Sequence, residues 1–144
     1  MSANTLAAGC WPEYCWALLV MQKQGVANFW IGNGCNQRNL NRITEYTISD
    51  GGLGDFVPAP FCLALGIEQY EPDYFGGRVF PKQLTKLSLL FHGEPCLPQL
   101  QERWPEIPPS NSSVGMYDYE YDGRINEFEI ENFSFIFLGY FPYS

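Results

Sequence analysis

The strongest local constraint in the chain lies near its C-terminus, where two alternating runs flank an Asp-Gly dipeptide. Tyr117-Asp118-Tyr119-Glu120-Tyr121 alternates strictly, Asp122-Gly123 follows, and residues 124–130 alternate again. Asp-Gly between alternating runs is the signal of a type I′ β-hairpin, because both central turn positions need positive φ. Pairing outward from that turn sets Tyr121 opposite Arg124, Glu120 opposite Ile125, Tyr119 opposite Asn126 and Asp118 opposite Glu127. Residues two apart share a face of a strand. One face then carries Tyr117, Tyr119, Tyr121, Arg124, Asn126, Phe128 and Ile130. The other carries Asp118, Glu120, Ile125, Glu127, Glu129 and Glu131. From Phe133 onward the chain is apolar on both sides, which predicts a strand passing from half-exposed to buried through a bulge near Asn132. The expectation is a hairpin over residues 116–141 with five carboxylates on one face.

That face has two readings. Charges on an outer strand discourage pairing with stray strands. They also form an electronegative patch that meets a basic partner or a cation. Overall the chain has 8 Lys and Arg against 16 Asp and Glu, a formal charge of −8. Six of those acids fall within residues 118–131, so the charge is concentrated there. Asp118, Glu120, Glu127, Glu129 and Glu131 are the candidate partner-binding residues.

Residues 118–129 also resemble the twelve-residue calcium loop of the EF-hand family. The resemblance implies ligands at Asp118, Glu120, Asp122, the Arg124 carbonyl, Asn126 and a bidentate Glu129, with Gly123 at the sharp turn. Glu120 departs from the usual Asp or Asn, and Pro108-Pro109-Ser110 upstream is no entering helix. The calcium loop and the hairpin compete, since a closed loop leaves no ladder across Asp122-Gly123. Calcium is the one cofactor the sequence suggests; otherwise none is expected.

Elsewhere the elements are less sharply written. Residues 12–24 read as a buried N-terminal helix, with Pro12 in the first turn and Gly25 at the stop. Residues 26–31 read as a strand, followed by a turn at Gly32-Asn33-Gly34 and an Asn-rich loop through Arg42. Residues 43–48 read as a β-branched strand. Residues 61–65 suit a buried strand or a helical turn. Residues 70–81 read as irregular, and residues 86–91 as an alternating strand. Five prolines between residues 95 and 109 predict an extended segment. A single domain over residues 1–144 follows from the length, β-rich and mainly antiparallel, sandwich- or barrel-like, with one N-terminal helix; α+β is the alternative.

Composition narrows the function classes. Aromatic residues make up 17% of the chain and charged residues 17%, against about 25% charged in an average soluble domain. Intrinsic disorder is excluded, because it needs few aromatics and abundant charge. So few basic residues argue against direct nucleic-acid binding. No apolar run reaches the length of a membrane-spanning helix. A basic n-region and an apolar h-region are both missing before Cys10, so no signal peptide is expected. Cys10, Cys15, Cys35, Cys62 and Cys96 form no CxxC pair, and they read as buried reduced thiols.

Catalytic constellations are sparse. His92 is the sole histidine, and no phosphate loop, GxSxG elbow or dinucleotide fingerprint occurs. Trp11, Trp16, Trp30 and Trp104 suit core packing better than a sugar platform. The expectation is therefore a non-enzymatic protein that acts within an assembly of other protein subunits. In composition the chain resembles small virion components such as phage head-decoration or tail proteins, which implies a virion location, with the cytoplasm otherwise expected. An acidic inhibitor or immunity protein covering a basic partner is the first alternative, and a calcium-dependent binding module the second.

Overall fold

A computed structural model describes residues 22–34, 36–49 and 54–143. Twelve elements follow in chain order: β1 (Gln22–Asn33), α1 (Gln37–Thr44), β2 (Thr47–Ile48), β3 (Phe56–Val57), α2 (Pro60–Leu65), a 3-10 turn (Pro72–Tyr74), β4 (Phe75–Leu84), α3 (Leu87–Leu90), α4 (Leu97–Arg103), β5 (Ser110–Tyr119), β6 (Glu127–Ile130) and β7 (Phe133–Pro142). Five strands form one antiparallel sheet in the order β4-β5-β1-β7-β6. β2 and β3 make a separate two-stranded pair.

β1 is the central strand because it is apolar on both faces. Phe29 and Ile31 look one way and Trp30 the other, all almost fully buried. On the Trp30 side, α1 and α2 deliver Leu40, Ile43, Phe61 and Leu65 onto Val114, Met116, Phe133 and Phe135. On the Phe29 side, α3 and α4 deliver Leu87, Leu90 and Leu100 onto Ala27, Ile31, Leu138 and Phe141. The mainly antiparallel expectation therefore holds, but the large sheet is covered by helices on both faces rather than by a second sheet. It is neither a two-sheet sandwich nor a barrel.

Several local expectations are corrected. The expected helix over residues 12–24 lies outside the described residues except for its last three, which open β1. The Asn-rich loop contains α1 instead. Asn36 caps it by accepting a 2.8 Å bond from the Asn39 N–H, and Leu40 and Ile43 supply the buried stripe. Ile43 and Thr44 thus end a helix, and only Thr47–Ile48 remain extended. Residues 61–65 take the helical option. Residues 75–84 are a strand rather than irregular chain. The alternating run at 86–91 folds as the short α3, because Leu87, Leu90 and Phe91 at helical spacing bury together while Leu89 stays exposed. Pro98 sits in the first turn of α4, where it sacrifices no helical hydrogen bond, so the Pro-rich segment holds a seven-residue helix.

The hairpin is displaced. β5 does not pair with β6, since β1 occupies one of its edges and β4 the other. The two-residue turn is Glu131-Asn132, both at positive φ (48° and 70°), and it joins β6 to β7 with Ile130 opposite Phe133. What read as a bulge near Asn132 is the turn itself. Residues 120–126 are irregular and connect β5 to β6.

Gly32-Asn33-Gly34 is likewise no turn. β1 runs through Asn33, and the missing side chains make room for the Phe135 and Phe133 rings, which stack at 5.6 Å. A methyl group on Gly34 would overlap the Phe133 ring, which is buried and has nowhere to swing. Gly34→Ala is expected to cost about 3 kcal/mol, the upper end for overpacking a core. Urea denaturation checks this, and a loss under about 1 kcal/mol would show that the ring can move aside.

Candidate functional site

The open sheet has two outer strands, and they are finished differently. On β4 the outward backbone groups at Gly77 and Val79 are taken by one side chain. Gln37 of α1 donates through Nε2 to the Gly77 carbonyl at 3.1 Å and accepts the Val79 N–H at 2.7 Å. The amide of Gln37 thus stands in for a neighbouring strand. On β6 no such cap occurs among the described residues. Ile130 and Phe133 close the turn as a hydrogen-bonded pair, and the alternation makes Phe128 the next such position. The N–H and C=O of Glu127 and Glu129 therefore point away from β7, along the free edge. Their side chains are exposed, while Phe128 and Ile130 pack onto the core of the Trp30 side.

Beside this edge runs a surface groove of two adjoining depressions, of about 610 and 350 Å³, which share Glu127 and Ile136. The larger is walled by Tyr121, Trp104 and Tyr140, with Asp122 and Arg103 at its rim. Its shape comes from a bulge in β7. Leu138 is the extra residue between the pairs Phe29–Gly139 and Trp30–Phe137. Gly139 takes φ 120°, which side-chain-bearing residues rarely adopt, and the Trp104 indole donates to the Leu138 carbonyl at 2.7 Å. Arg103 lies over the Phe141 ring.

The structure divides the sequence-predicted site residues into separate places. Glu127 and Glu129 stand together on the free edge. Glu131 is in the adjacent turn, paired with Arg42 at 2.9 Å on exposed surface. Asp118 takes φ 62° and turns inward, where its Oδ1 accepts from the Gly25 N–H at 3.0 Å and from the Tyr143 hydroxyl. That bond to Asp118 raises the Tyr143 hydroxyl above the usual tyrosine range. Asp118 is thus a staple between β1, β5 and the end of the described chain. Glu120 is half-buried in the connection. Asp122 holds Arg124 at 3.0 Å.

No family model, curated protein or solved structure matches this chain.

The ligands suggested by the calcium resemblance are spread over strand, loop and strand. Asp118 serves Gly25 and Tyr143, Asp122 serves Arg124, and Glu129 lies on β6. Among the described residues no three His, Cys, Asp or Glu side chains gather as a metal site. Burial pushes the Cys62 thiol up to about 12 and the Cys96 thiol up to about 11, so both are protonated and poorly nucleophilic near neutral pH. His92 is exposed on the turn after α3. Among the described residues no helix is long and apolar enough to cross a membrane.

Gln37 and Arg103 had no signal in the sequence, because each matters through a contact across the fold. Trp104, read as a core residue, packs against the Phe29-side core and also walls the groove.

Proposed function

We propose that the protein is a non-enzymatic assembly component that accepts a basic strand of a different protein subunit along β6. The observation that carries this reading is the asymmetry of the sheet among the described residues: one edge capped by Gln37, the other uncapped with Glu127 and Glu129 on it. Strand addition satisfies the outward backbone groups, and the side chains choose the partner. Lys or Arg at alternate positions of an incoming strand would lie against the two carboxylates.

A second copy of this chain fits poorly. An antiparallel β6 from another copy would bring Glu against Glu, which is destabilising. A β4 from another copy presents edge groups already taken by Gln37, and Pro81 offers no N–H. The partner is therefore non-identical. A multi-subunit particle of virion type is the setting this reading favours, in keeping with an aromatic-rich, weakly charged chain. The same exclusion of self-pairing supports a second reading, a one-to-one acidic inhibitor of a basic protein, which shares the edge and differs in the mass of the complex.

The test is incorporation of the full chain carrying Glu127→Lys and Glu129→Lys in its source. Both side chains are exposed, so the melting temperature should stay near wild type. Each cross-strand ion pair is worth about 0.2–1 kcal/mol and each reversal adds a like-charge repulsion of similar size, so the bound fraction should fall about tenfold. Equal incorporation of the variant would overturn the role of β6. Sedimentation of the wild-type complex separates the settings: a large particle supports the assembly component, and a small heterodimer supports the inhibitor.

A further inference from the structure

A second cavity, of about 530 Å³, opens on the Phe29 face near the opposite edge of the sheet, between β4, β5 and the turn after α3. Its floor is two glycines facing each other across the strands, Gly76 and Gly115. Neither has a backbone reason to be glycine. Neither takes positive φ, a methyl on Gly76 would meet nothing within 4 Å, and one on Gly115 would rest on the Phe29 ring at an ordinary 3.6 Å. Glycine inside a strand also weakens it. What the pair does provide is open space above a flat patch of backbone, walled by Phe29, Phe91 and Tyr117.

The polar lining is selective. Glu94 accepts from the Tyr117 hydroxyl through Oε1, while its Oε2 is buried and takes no hydrogen bond among the described residues. A buried acceptor short of a hydrogen bond costs stability, and Glu94 brings its negative charge to the cavity lining. Asp73 adds a second carboxylate. The one cation in the lining, Arg78, is drawn aside over the Phe80 ring at 5.4 Å. Two carboxylates against one guanidinium, set among aromatic faces, favour a positive guest.

We infer that this cavity binds a small organic cation, an amine or amidine on a flat apolar body, which lies on the Gly76–Gly115 floor and pairs with Glu94. The size is that of ordinary small-molecule sites, mostly apolar with a few placed polar groups. The inference stands apart from the β6 edge, which lies at the opposite side of the sheet.

The test is an NMR titration of the full chain with benzamidine, with neutral benzamide as the matched control. Saturable shifts with benzamidine, at least tenfold weaker with benzamide, are expected. Gly76→Val should fill the floor and abolish binding while leaving the melting temperature equal or higher, since the site is open and valine suits a strand. Glu94→Gln keeps an acceptor for Tyr117 and removes the charge, so affinity should drop at least tenfold. No saturable shift with benzamidine, equal binding of benzamide, or unchanged affinity in either variant would overturn the assignment.

Discussion

Replacing Asn28 by Leu is expected to lower the unfolding free energy by about 3–5 kcal/mol, although the two side chains have similar size. Asn28 is fully buried in the central strand, and its amide is completely used. Nδ2 donates to the Met116 carbonyl at 3.1 Å and to the Tyr119 carbonyl, and Oδ1 accepts the Tyr121 N–H at 3.0 Å. The Tyr119 and Tyr121 groups lie where β5 ends and the irregular connection begins, so Asn28 ties the start of that connection to the central strand. Leucine would strand them in an apolar interior, at about 1–3 kcal/mol each before relaxation. The loss should also be local. Hydrogen exchange at residues 119–126 should accelerate more than in β1 or β7, and partner binding should weaken with it, because Tyr121 and Asp122 wall the groove beside β6. A loss below about 1 kcal/mol in urea denaturation would mean that water reaches these groups and that Asn28 is not the anchor.

Burial explains why the chain turns elsewhere than its sequence predicts. Asp122-Gly123 carries the better local turn chemistry, yet the chain turns at Glu131-Asn132. Register is decided by burial, since a strand slipped by one residue exposes its apolar set. Val114 and Met116 of β5 are buried in the centre of the sheet, which puts β1 and β4 on its two edges and leaves none for β6. Phe133, Phe135 and Phe137 in turn need the Trp30 face, and only β7 beside β1 provides it. Long-range contacts of this kind leave no trace at a dipeptide. The alternation of 127–130 and of 133–137 was legible, and so was the exposure of Glu127 and Glu129. Short elements were not: α2 and α3 carry too few residues to separate a period of 3.6 from a period of 2. The closure of β4 by Gln37 and the cavity over Gly76 depend on residues some 40 positions apart, which pattern reading does not join.

Trp30→Ala is expected to cost about 3–5 kcal/mol, whereas Trp30→Phe should cost less than about 2 kcal/mol. Trp30 is the largest fully buried side chain among the described residues, and its ring meets Phe61 and Phe137 at 5.1 Å and Tyr121 at 6.1 Å. Alanine would empty the middle of the core on which α2, β7 and the connection after β5 all rest, and no single neighbour can fill that volume. Phenylalanine keeps a ring among those partners and loses only part of the volume. It also removes the indole Nε1–H, which is buried with no hydrogen-bond partner among the described residues and therefore burdens the native protein. The two effects oppose each other, so the penalty for Phe is smaller than the change in size suggests. Urea denaturation of both variants decides the point. If Trp30→Phe were as damaging as Trp30→Ala, the indole N–H would have to be bonded, most simply to a buried water, and the core on this face would be polar at its centre rather than dry.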